Sequence, residues 1–148
     1  MLDNLDIKIL KILQKEGRAK RNLLAEKVGL SLPSVSERLN KLEEKGIIEG
    51  YYAKLNRIAF GYDLMAFIFV TMDSSKHYNT LITHVEKIPQ IIECHSVLGE
   101  GSHILKVIAK NTESLEKLLA EIQSWAGVVS TKTTFVLSTI KETTQLDI

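Results

Sequence analysis

Apolar residues recur at helical spacing through residues 3–46 and predict three helices. The first begins at Asp3, where Asp6 three residues later makes an imperfect capping box, and it ends at Gly17. The second helix stops at Gly29 and the third at Gly46, because glycine readily ends a helix. The apolar stripes that these helices bury are Leu5, Ile9, Ile12 and Leu13, then Leu23, Leu24 and Val28, then Val35, Leu39 and Leu42.

Residues 22–41 have the pattern of a helix, a tight turn and a second helix. Ser31 is a suitable N-cap for the second of these helices, and Pro33 suits its first turn, where a missing N–H costs nothing. The side chains left on the exposed surface are small, polar or basic, and such a helix fits the major groove of DNA. The pattern therefore predicts a helix-turn-helix DNA-binding unit, with basic residues before its first helix on flanking phosphates. The predicted DNA-binding residues are Arg18, Lys20, Arg21, Ser31, Ser34, Ser36, Glu37, Arg38, Asn40 and Lys41.

Each of these side chains also has a simpler interpretation. Arg38 is either a DNA contact or a solvated arginine paired with Glu37 or Glu43, and exposed ion pairs contribute little. Glu37 is either an acceptor for a cytosine amino group or the partner of a neighbour on its own helix. The basic residues before the second helix are either phosphate contacts or ordinary surface charges.

After the third helix the pattern changes to that of strands. Residues 47–55 alternate and predict a strand that leaves the helical module, and residues 56–61 are the expected hinge. Beyond the hinge the predicted bounds are strand 64–72, helix 77–88, strands 91–98 and 103–110, helix 115–125 and strand 128–140. This order is that of a split βαβ unit. The predicted fold class is α+β, with a helix-turn-helix (winged-helix-like) domain at 1–60 and a ferredoxin-like βαββαβ sandwich at 61–148.

The first strand of the sandwich is apolar at both alternating positions. In this topology both helices cover one face of the sheet, so the other face should be polar and wet. Residues 64–72, LMAFIFVTM, instead carry apolar side chains toward both faces. We therefore expect the uncovered face to bury against the same face of a second subunit, in a two-fold homodimer.

Composition and charge fit a globular protein with two unlike halves. Hydrophobic residues make up 45% of the chain, and no apolar run approaches the ~18 residues that cross a bilayer. Since no signal peptide is recognisable either, we expect a cytoplasmic, nucleoid-associated protein without a membrane partner. The single cysteine, Cys94, excludes an internal disulfide. Residues 1–60 carry 12 Lys/Arg against 8 Asp/Glu, and residues 61–148 carry 7 against 10, so the basic half is the one suited to DNA.

Short motifs along nearly the whole chain resemble those of the Lrp/AsnC family, the leucine-responsive or feast/famine regulators of bacteria and archaea. Leu2-Asp3, Asp6 and Ile9-Leu10 are similar to the family's N-terminal LDxxDxxIL. The other similar segments are Gly29-Leu30-Ser31, Glu37-Arg38-Leu39, Leu42-Glu43, residues 46–51, Glu93-Cys94-His95, Gly99-Glu100, Gly127-Val128, residues 131–137 and the tail at 140–146.

The resemblance implies a sequence-specific transcriptional regulator with no catalytic residue, metal or cofactor. It implies a homodimer, often within a higher homo-oligomer such as an octamer, and a small free amino acid bound at subunit interfaces. Two subunits would present two helices to successive major grooves, so the double-stranded DNA target should be an imperfect palindrome. The implied effector-binding residues are Gly99, Glu100, Gly101, Ser102, His103, Thr131, Thr133 and Thr134.

The implied effector loop departs from the family pattern, which usually reads Gly-acidic-aromatic-Asp. Here Gly101 stands at the aromatic position and Ser102 at the Asp position. The departure removes a carboxylate that could position the amino group of a ligand. An amino-acid effector and a simple strand-connecting turn are therefore both open interpretations of this loop.

Other functions are weaker alternatives at this point. A nucleoid-organising protein without an effector would share every motif, and only the ratio of specific to random-DNA affinity separates it. Sirohaem decarboxylases share the two-domain fold, but they need basic residues and histidines that converge on a carboxylate-rich macrocycle, whereas the histidines here are scattered.

Cys94 and His95 face opposite sides of a strand, which disfavours a shared metal. Residues 99–102 lack the lysine of a phosphate-binding loop.

Overall fold

The three helices predicted at the N-terminus are present in the computed structural model, which describes all 148 residues. They are α1 (Asn4–Lys15), α2 (Arg21–Val28) and α3 (Leu32–Glu44). The capping box of α1 is complete, since the Asp3 carboxylate accepts from the N–H of Asp6 and the Asp6 carboxylate accepts from the N–H of Asp3. One core holds the helices together, built from Ile9, Leu24, Ala25, Val28, Val35 and Leu39.

Residues 47–55 form no strand, and the prediction of one there is wrong. Gly46 takes a left-handed conformation, with φ of 66°, and turns the chain back on α3. The N–H groups of Ile47 and Ile48 then donate to the carbonyl of Leu42, at 2.9 and 3.2 Å. These bonds make a helix-ending motif, and the residues that follow have no strand in this chain to pair with.

The second half of the chain has the predicted order of strands and helices. Its elements are β1 (Leu64–Met72), α4 (Tyr78–Glu86), β2 (Ile91–Ser96), β3 (His103–Ala109), α5 (Thr112–Ser124) and β4 (Val128–Phe135). The four strands form one sheet in the order β2-β3-β1-β4, and every neighbouring pair is antiparallel. The ferredoxin-like prediction is confirmed. The expected hinge at 56–61 contains a 3-10 helix, Arg57–Phe60.

Strand β4 is shorter than the predicted 128–140. Its last ladder partner is Ala66, opposite Phe135, and one further bond runs from the N–H of Val136 to the carbonyl of Met65. Since β1 begins at Leu64, residues beyond 136 run past its end and have nothing to pair with. The Thr- and Val-rich sequence correctly indicated a strand, but β4 ends where its partner strand β1 begins.

Both helices pack on one face of the sheet. Buried residues of β1 and β3 on that face, such as Ile68 and Leu105, share a core with Leu81 of α4 and Ile122 of α5. The opposite face, called the open face below, carries Met65, Phe67, Phe69, Ile104 and Ile108 from the same two strands. No helix covers it, as expected.

The chain divides into two compact units, Met1–Lys54 with Lys141–Ile148, and Leu55–Ile140. The tail therefore lies with the N-terminal unit, whereas the sequence boundaries of 1–60 and 61–148 grouped it with the sheet. Gln14 of α1 holds the tail through both ends of its amide, with Nε2 3.0 Å from the carbonyl of Leu146 and Oε1 2.5 Å from its N–H. No helix of the structure combines the length and apolar character needed to cross a membrane.

Candidate nucleic-acid interface and ligand loop

The α2–α3 pair has the geometry of a helix-turn-helix. Gly29 ends α2 with φ of 71°, and the N–H of Leu30 returns to the carbonyl of Ala25 at 3.0 Å. Ser31 begins α3, where its hydroxyl oxygen accepts from the N–H of Ser34 at 3.3 Å and lies 2.9 Å from the Ser34 hydroxyl. The tight turn is thus held by local backbone bonds and a serine cap, as the sequence indicated.

The outward side of α3 carries Glu37, Asn40 and Lys41, all exposed. Lys41 donates to Glu37 at 2.7 Å across one helical turn. That hydrogen bond and the lysine's charge lower the pKa of Glu37. Glu37 therefore has the intrahelical partner that the simpler interpretation required, and DNA must compete with Glu37 for the Lys41 ammonium.

The remaining predicted DNA contacts surround this side of α3. Ser34 and Ser36 are half-buried on α3, whereas Ser31 is exposed at its start. Arg18, Lys20 and Arg21 are exposed at the junction that leads into α2. The structure leaves these three cations accessible from solvent, which a phosphate contact requires.

Arg38 has partners that the sequence did not suggest. Its Nη1 donates to Oδ2 of Asp3 and to Oδ1 of Asp6, each at 2.7 Å, rather than to Glu37 or Glu43. The pKa of Asp3 is lowered by the backbone N–H of Asp6 and then by Arg38, and the pKa of Arg38 is raised by the two carboxylates. The sequence signal for this cluster was the capping box itself, whose carboxylates each keep one oxygen free for a cation.

A second missed contact joins Tyr51 to α3. Its hydroxyl donates to Oε1 of Glu43 at 3.0 Å. Burial and the Glu43 carboxylate together raise the pKa of Tyr51 to about 12. This bond ties the segment that leaves α3 to the helix itself.

The loop between β2 and β3 is docked on the end of β1. The N–H of Ser102 donates to the carbonyl of Val70 at 2.9 Å, and the Ser102 hydroxyl donates to the same oxygen at 3.2 Å. Gly101 has φ of 75°, and a Cβ placed there would lie 2.8 Å from the Val70 oxygen. The departure from the family's aromatic residue thus has a steric consequence, because this loop conformation leaves no room for a side chain at position 101.

His103 follows the loop and is buried, with 3% of its surface exposed. Its Nδ1 lies 2.8 Å from the Ser102 hydroxyl, and its ring meets Tyr78 edge-on at 4.7 Å. Since that hydroxyl donates to Val70, it accepts from His103, which places the imidazole proton on Nδ1. Burial lowers the pKa of His103, so the ring is held in its neutral form.

The predicted effector residues fall into two groups. Thr131 and Thr133 pair with Val70 and Ile68, so they share the helix-facing side of the sheet with His103. Thr134 pairs with Phe67 and lies on the open face. Glu100 reaches from the loop to an ion pair with Lys132, which is also on the open face. The predicted residues therefore do not line a single surface within one subunit.

Cys94 and His95 lie on opposite faces of β2. Cys94 pairs with Leu105 toward the helices, and His95 pairs with Ile104 on the open face. Burial raises the pKa of the Cys94 thiol, which disfavours the thiolate that a metal needs. The structure contains no group of three His, Cys, Asp or Glu side chains placed to hold a metal ion.

The two halves of the chain match two family descriptions. Residues 2–49 match a winged helix-turn-helix DNA-binding family, and residues 65–146 match the Lrp/AsnC ligand binding domain. The HTH-type transcriptional regulator FL11 of Pyrococcus horikoshii is 38% identical over 147 residues, which cover 99% of this chain and 97% of FL11. The leucine-responsive regulatory protein of Escherichia coli K12 is 35% identical over 151 residues, covering 98% and 90% of the two chains.

Solved structures agree with these relatives over the same length. A transcriptional regulator of Neisseria meningitidis in complex with L-methionine has a TM-score of 0.93 and 33% identity, covering 99% of this chain and 97% of its own. A feast or famine regulatory protein of Mycobacterium tuberculosis complexed with L-methionine has a TM-score of 0.91 and 34% identity, covering 99% of both chains. These relatives are transcriptional regulators, and none of them supports the decarboxylase alternative. The chain belongs to the Lrp/AsnC family and is a DNA-binding transcriptional regulator, not an enzyme.

Proposed function

We propose that the protein binds an imperfect palindrome in double-stranded DNA as a homodimer, and that a small amino acid modulates this binding. In this proposal residues 1–60 carry the DNA contacts, and residues 61–148 carry the dimer interface and the effector site. The open face of the sheet is the observation that supports the dimer most directly. Phe67, Phe69, Ile104 and Ile108 there remain half-buried without a covering helix, and a two-fold interface would bury them.

Replacement of Phe69 by Asp tests the dimer. The carboxylate would have to be desolvated in the interface, so the variant should sediment as a monomer at micromolar concentration in analytical ultracentrifugation, whereas the wild type should sediment as a dimer or larger. Glu116→Lys, on the exposed side of α5, is the control and should not change the sedimentation. A monomeric wild type would refute the proposal. Light scattering on the same samples would distinguish a dimer from an octamer.

The proposed DNA surface is the outward side of α3, with flanking phosphates held by the junction before α2. Lys41 and Asn40 are exposed there, and Arg18, Lys20 and Arg21 add positive charge. Ser31, Ser34, Ser36 and Glu37 complete the predicted contact set, and Arg38 is treated below. A titration onto the DNA upstream of the protein's own gene, against a scrambled control at several salt concentrations, tests specific binding. A preference for the natural DNA at physiological salt would support it.

A nucleoid-organising role remains the second candidate for the same surface. It predicts equal affinity for the natural and scrambled DNA, and binding that falls steeply with salt because only phosphate contacts contribute. Both functions place the protein on the nucleoid in the cytoplasm. Fluorescence microscopy of a labelled copy should therefore show it with the chromosome, and a diffuse or peripheral signal would contradict that location.

The effector proposal is supported by the relatives whose structures contain L-methionine. Calorimetry of the protein with methionine, leucine and a panel of other amino acids tests it. Ser102→Asp would restore the family's carboxylate beside the Nδ1–H of His103, and we expect it to strengthen the binding of an amino acid through the ligand's ammonium group. If neither the wild type nor this variant binds any amino acid, the loop acts here only as a turn.

A further inference from the structure

Arg38 lies on α3 between the buried stripe and the proposed DNA contacts Ser34 and Lys41. At about 100° per residue, Arg38 lies roughly 60° around the helix from Val35 and roughly 40° from Leu42, both of which are buried. Its side chain is only 28% exposed, whereas that of Lys41 is 61% exposed. Arg38 therefore sits beside the buried stripe of α3, on the side that meets the start of α1.

The start of α1 is built to receive this arginine. Oδ1 of Asp3 accepts the N–H groups of Leu5 and Asp6, both at 2.9 Å, and Oδ2 is left for Arg38. Asp6 divides its oxygens in the same way, since Oδ2 accepts the N–H of Asp3 at 3.1 Å and Oδ1 accepts from Arg38. The helix cap thus holds both carboxylates through bonds that do not involve the guanidinium, and the Asp6 side chain is only 15% exposed.

The local charge also disfavours a phosphate contact at Arg38. One guanidinium faces two carboxylates, which leaves a formal charge of −1 for the three side chains. The partial positive charge at the N-terminus of α1 further stabilises the carboxylates in place. A DNA phosphate that approached Arg38 would also meet these two carboxylates, so Arg38 is a weaker phosphate partner than an unpaired cation would be.

We propose that Arg38 is a positioning residue that, with the Asp3–Asp6 cap, fixes where α3 sits against α1 and thereby sets the specific DNA affinity without contacting a base or a phosphate. The proposal rests on the outward side of α3 being the DNA surface. A fixed angle between these two helices determines which side chains of α3 reach the base edges when the rest of the domain meets the backbone.

The test compares variants of the full-length protein on two DNAs: the DNA upstream of its own gene, called the operator below, and random DNA. Each variant is measured at a temperature where circular dichroism shows it to be folded. Arg38→Met keeps the side-chain length and removes the charge. It should weaken operator binding by roughly tenfold, as expected for the loss of a charge-assisted hydrogen bond, and it should leave the salt dependence unchanged. Lys41→Met is the matched control, because it loses the same charge from the outward side and should lower the salt slope by about one.

The cap variant Asp3→Asn with Asp6→Asn distinguishes the two roles of Arg38. If Arg38 positions α3, this variant should weaken operator binding to the same extent, and its combination with Arg38→Met should cost no more than either alone. If Arg38 contacts DNA, removal of the carboxylates should instead tighten binding, and Arg38→Met should reduce the salt slope or relax the preference at one base pair. Either result would overturn the proposal, as would an unchanged affinity for folded Arg38→Met.

Arg38→Lys keeps the test usable if Arg38→Met does not fold. Its ammonium can still reach the two carboxylates, so Arg38→Lys should bind the operator more tightly than the cap variant does. If the two variants bind the operator equally weakly, the result counts against the proposal. Failure of the underlying DNA surface would look different. In that case Lys41→Met would leave both the operator affinity and the salt slope unchanged.

Discussion

At the scale of the single residue, Gly101 controls the shape of the loop that follows β2. Its φ of 75° is in the left-handed region, and a Cβ would lie 2.8 Å from the carbonyl oxygen of Val70. Gly101→Ala should therefore lower the free energy of unfolding by about 1–2 kcal/mol through its backbone conformation, with the Val70 contact adding to the loss. Urea unfolding measures this change.

Gly17→Ala is the matched control for Gly101→Ala. The Cβ at position 17 would meet no atom closer than the carbonyl oxygen of Leu13 at 3.9 Å, and φ there is not positive. We expect no loss of stability from this change. Equal stability of the two variants would show that the loop can move away from β1 without cost.

His103 makes the stability of the fold depend on pH. Because burial lowers its pKa in the folded protein, the unfolded chain takes up a proton more readily as the pH falls through about 6.5. Stability should therefore fall between about pH 7 and pH 5. His103→Phe keeps a ring against Tyr78 and should flatten this part of the curve of unfolding free energy against pH, whereas His95→Gln on the exposed part of β2 should not. A wild-type curve that is flat over this range would contradict the argument.

At the scale of the element, the sequence was most informative where the structural cause is local. The Asp3 cap, the Ser31 cap and the glycine that ends α2 all act within a few residues, and each was identified from the sequence. The bounds of β1 were correct because its apolar run is flanked by polar residues. The strand at 47–55 was wrong because alternation shows what a strand would look like but not whether a partner strand exists.

Contacts between distant parts of the chain left no usable pattern. Arg38 and Asp3 are 35 residues apart, and Gln14 and Leu146 are 132 apart. A polar side chain at either position is equally compatible with exposure to solvent. The candidate site was consequently predicted as a set of exposed residues. Only the structure distinguishes Lys41, which faces outward, from Arg38, which is held by the carboxylates at the start of α1.

The C-terminal tail gives a prediction at this scale. Gln14→Met removes both hydrogen bonds to Leu146, and the protection of the Leu146 amide against hydrogen exchange should fall by roughly tenfold. Gln14→Glu keeps the acceptor for that amide and should retain more of the protection. Lys15→Met, exposed on the next position of α1, is the control. Unchanged exchange in Gln14→Met would mean that other contacts hold the tail.

At the scale of the whole molecule, tight DNA binding should depend on two helix-turn-helix units acting together. A chain truncated after residue 60 keeps the proposed DNA surface but loses the open face of the sheet. It also loses the tail at Lys141–Ile148, which packs with the N-terminal unit. The fragment should bind the operator far more weakly than the full-length protein, because binding of the second half-site is no longer intramolecular. Fluorescence anisotropy with a labelled operator measures the difference.

The full-length variant Phe69→Asp separates the two losses that the truncation combines. It removes the dimer and leaves the tail and its bonds to Gln14 in place. If dimerisation is the cause, Phe69→Asp and the fragment should bind a palindrome with similar weak affinity, and both should bind a single half-site about as well as the wild type does. If Phe69→Asp binds the palindrome tightly while remaining a monomer, one helix-turn-helix unit is sufficient. The weakness of the fragment would then have to come from the missing tail.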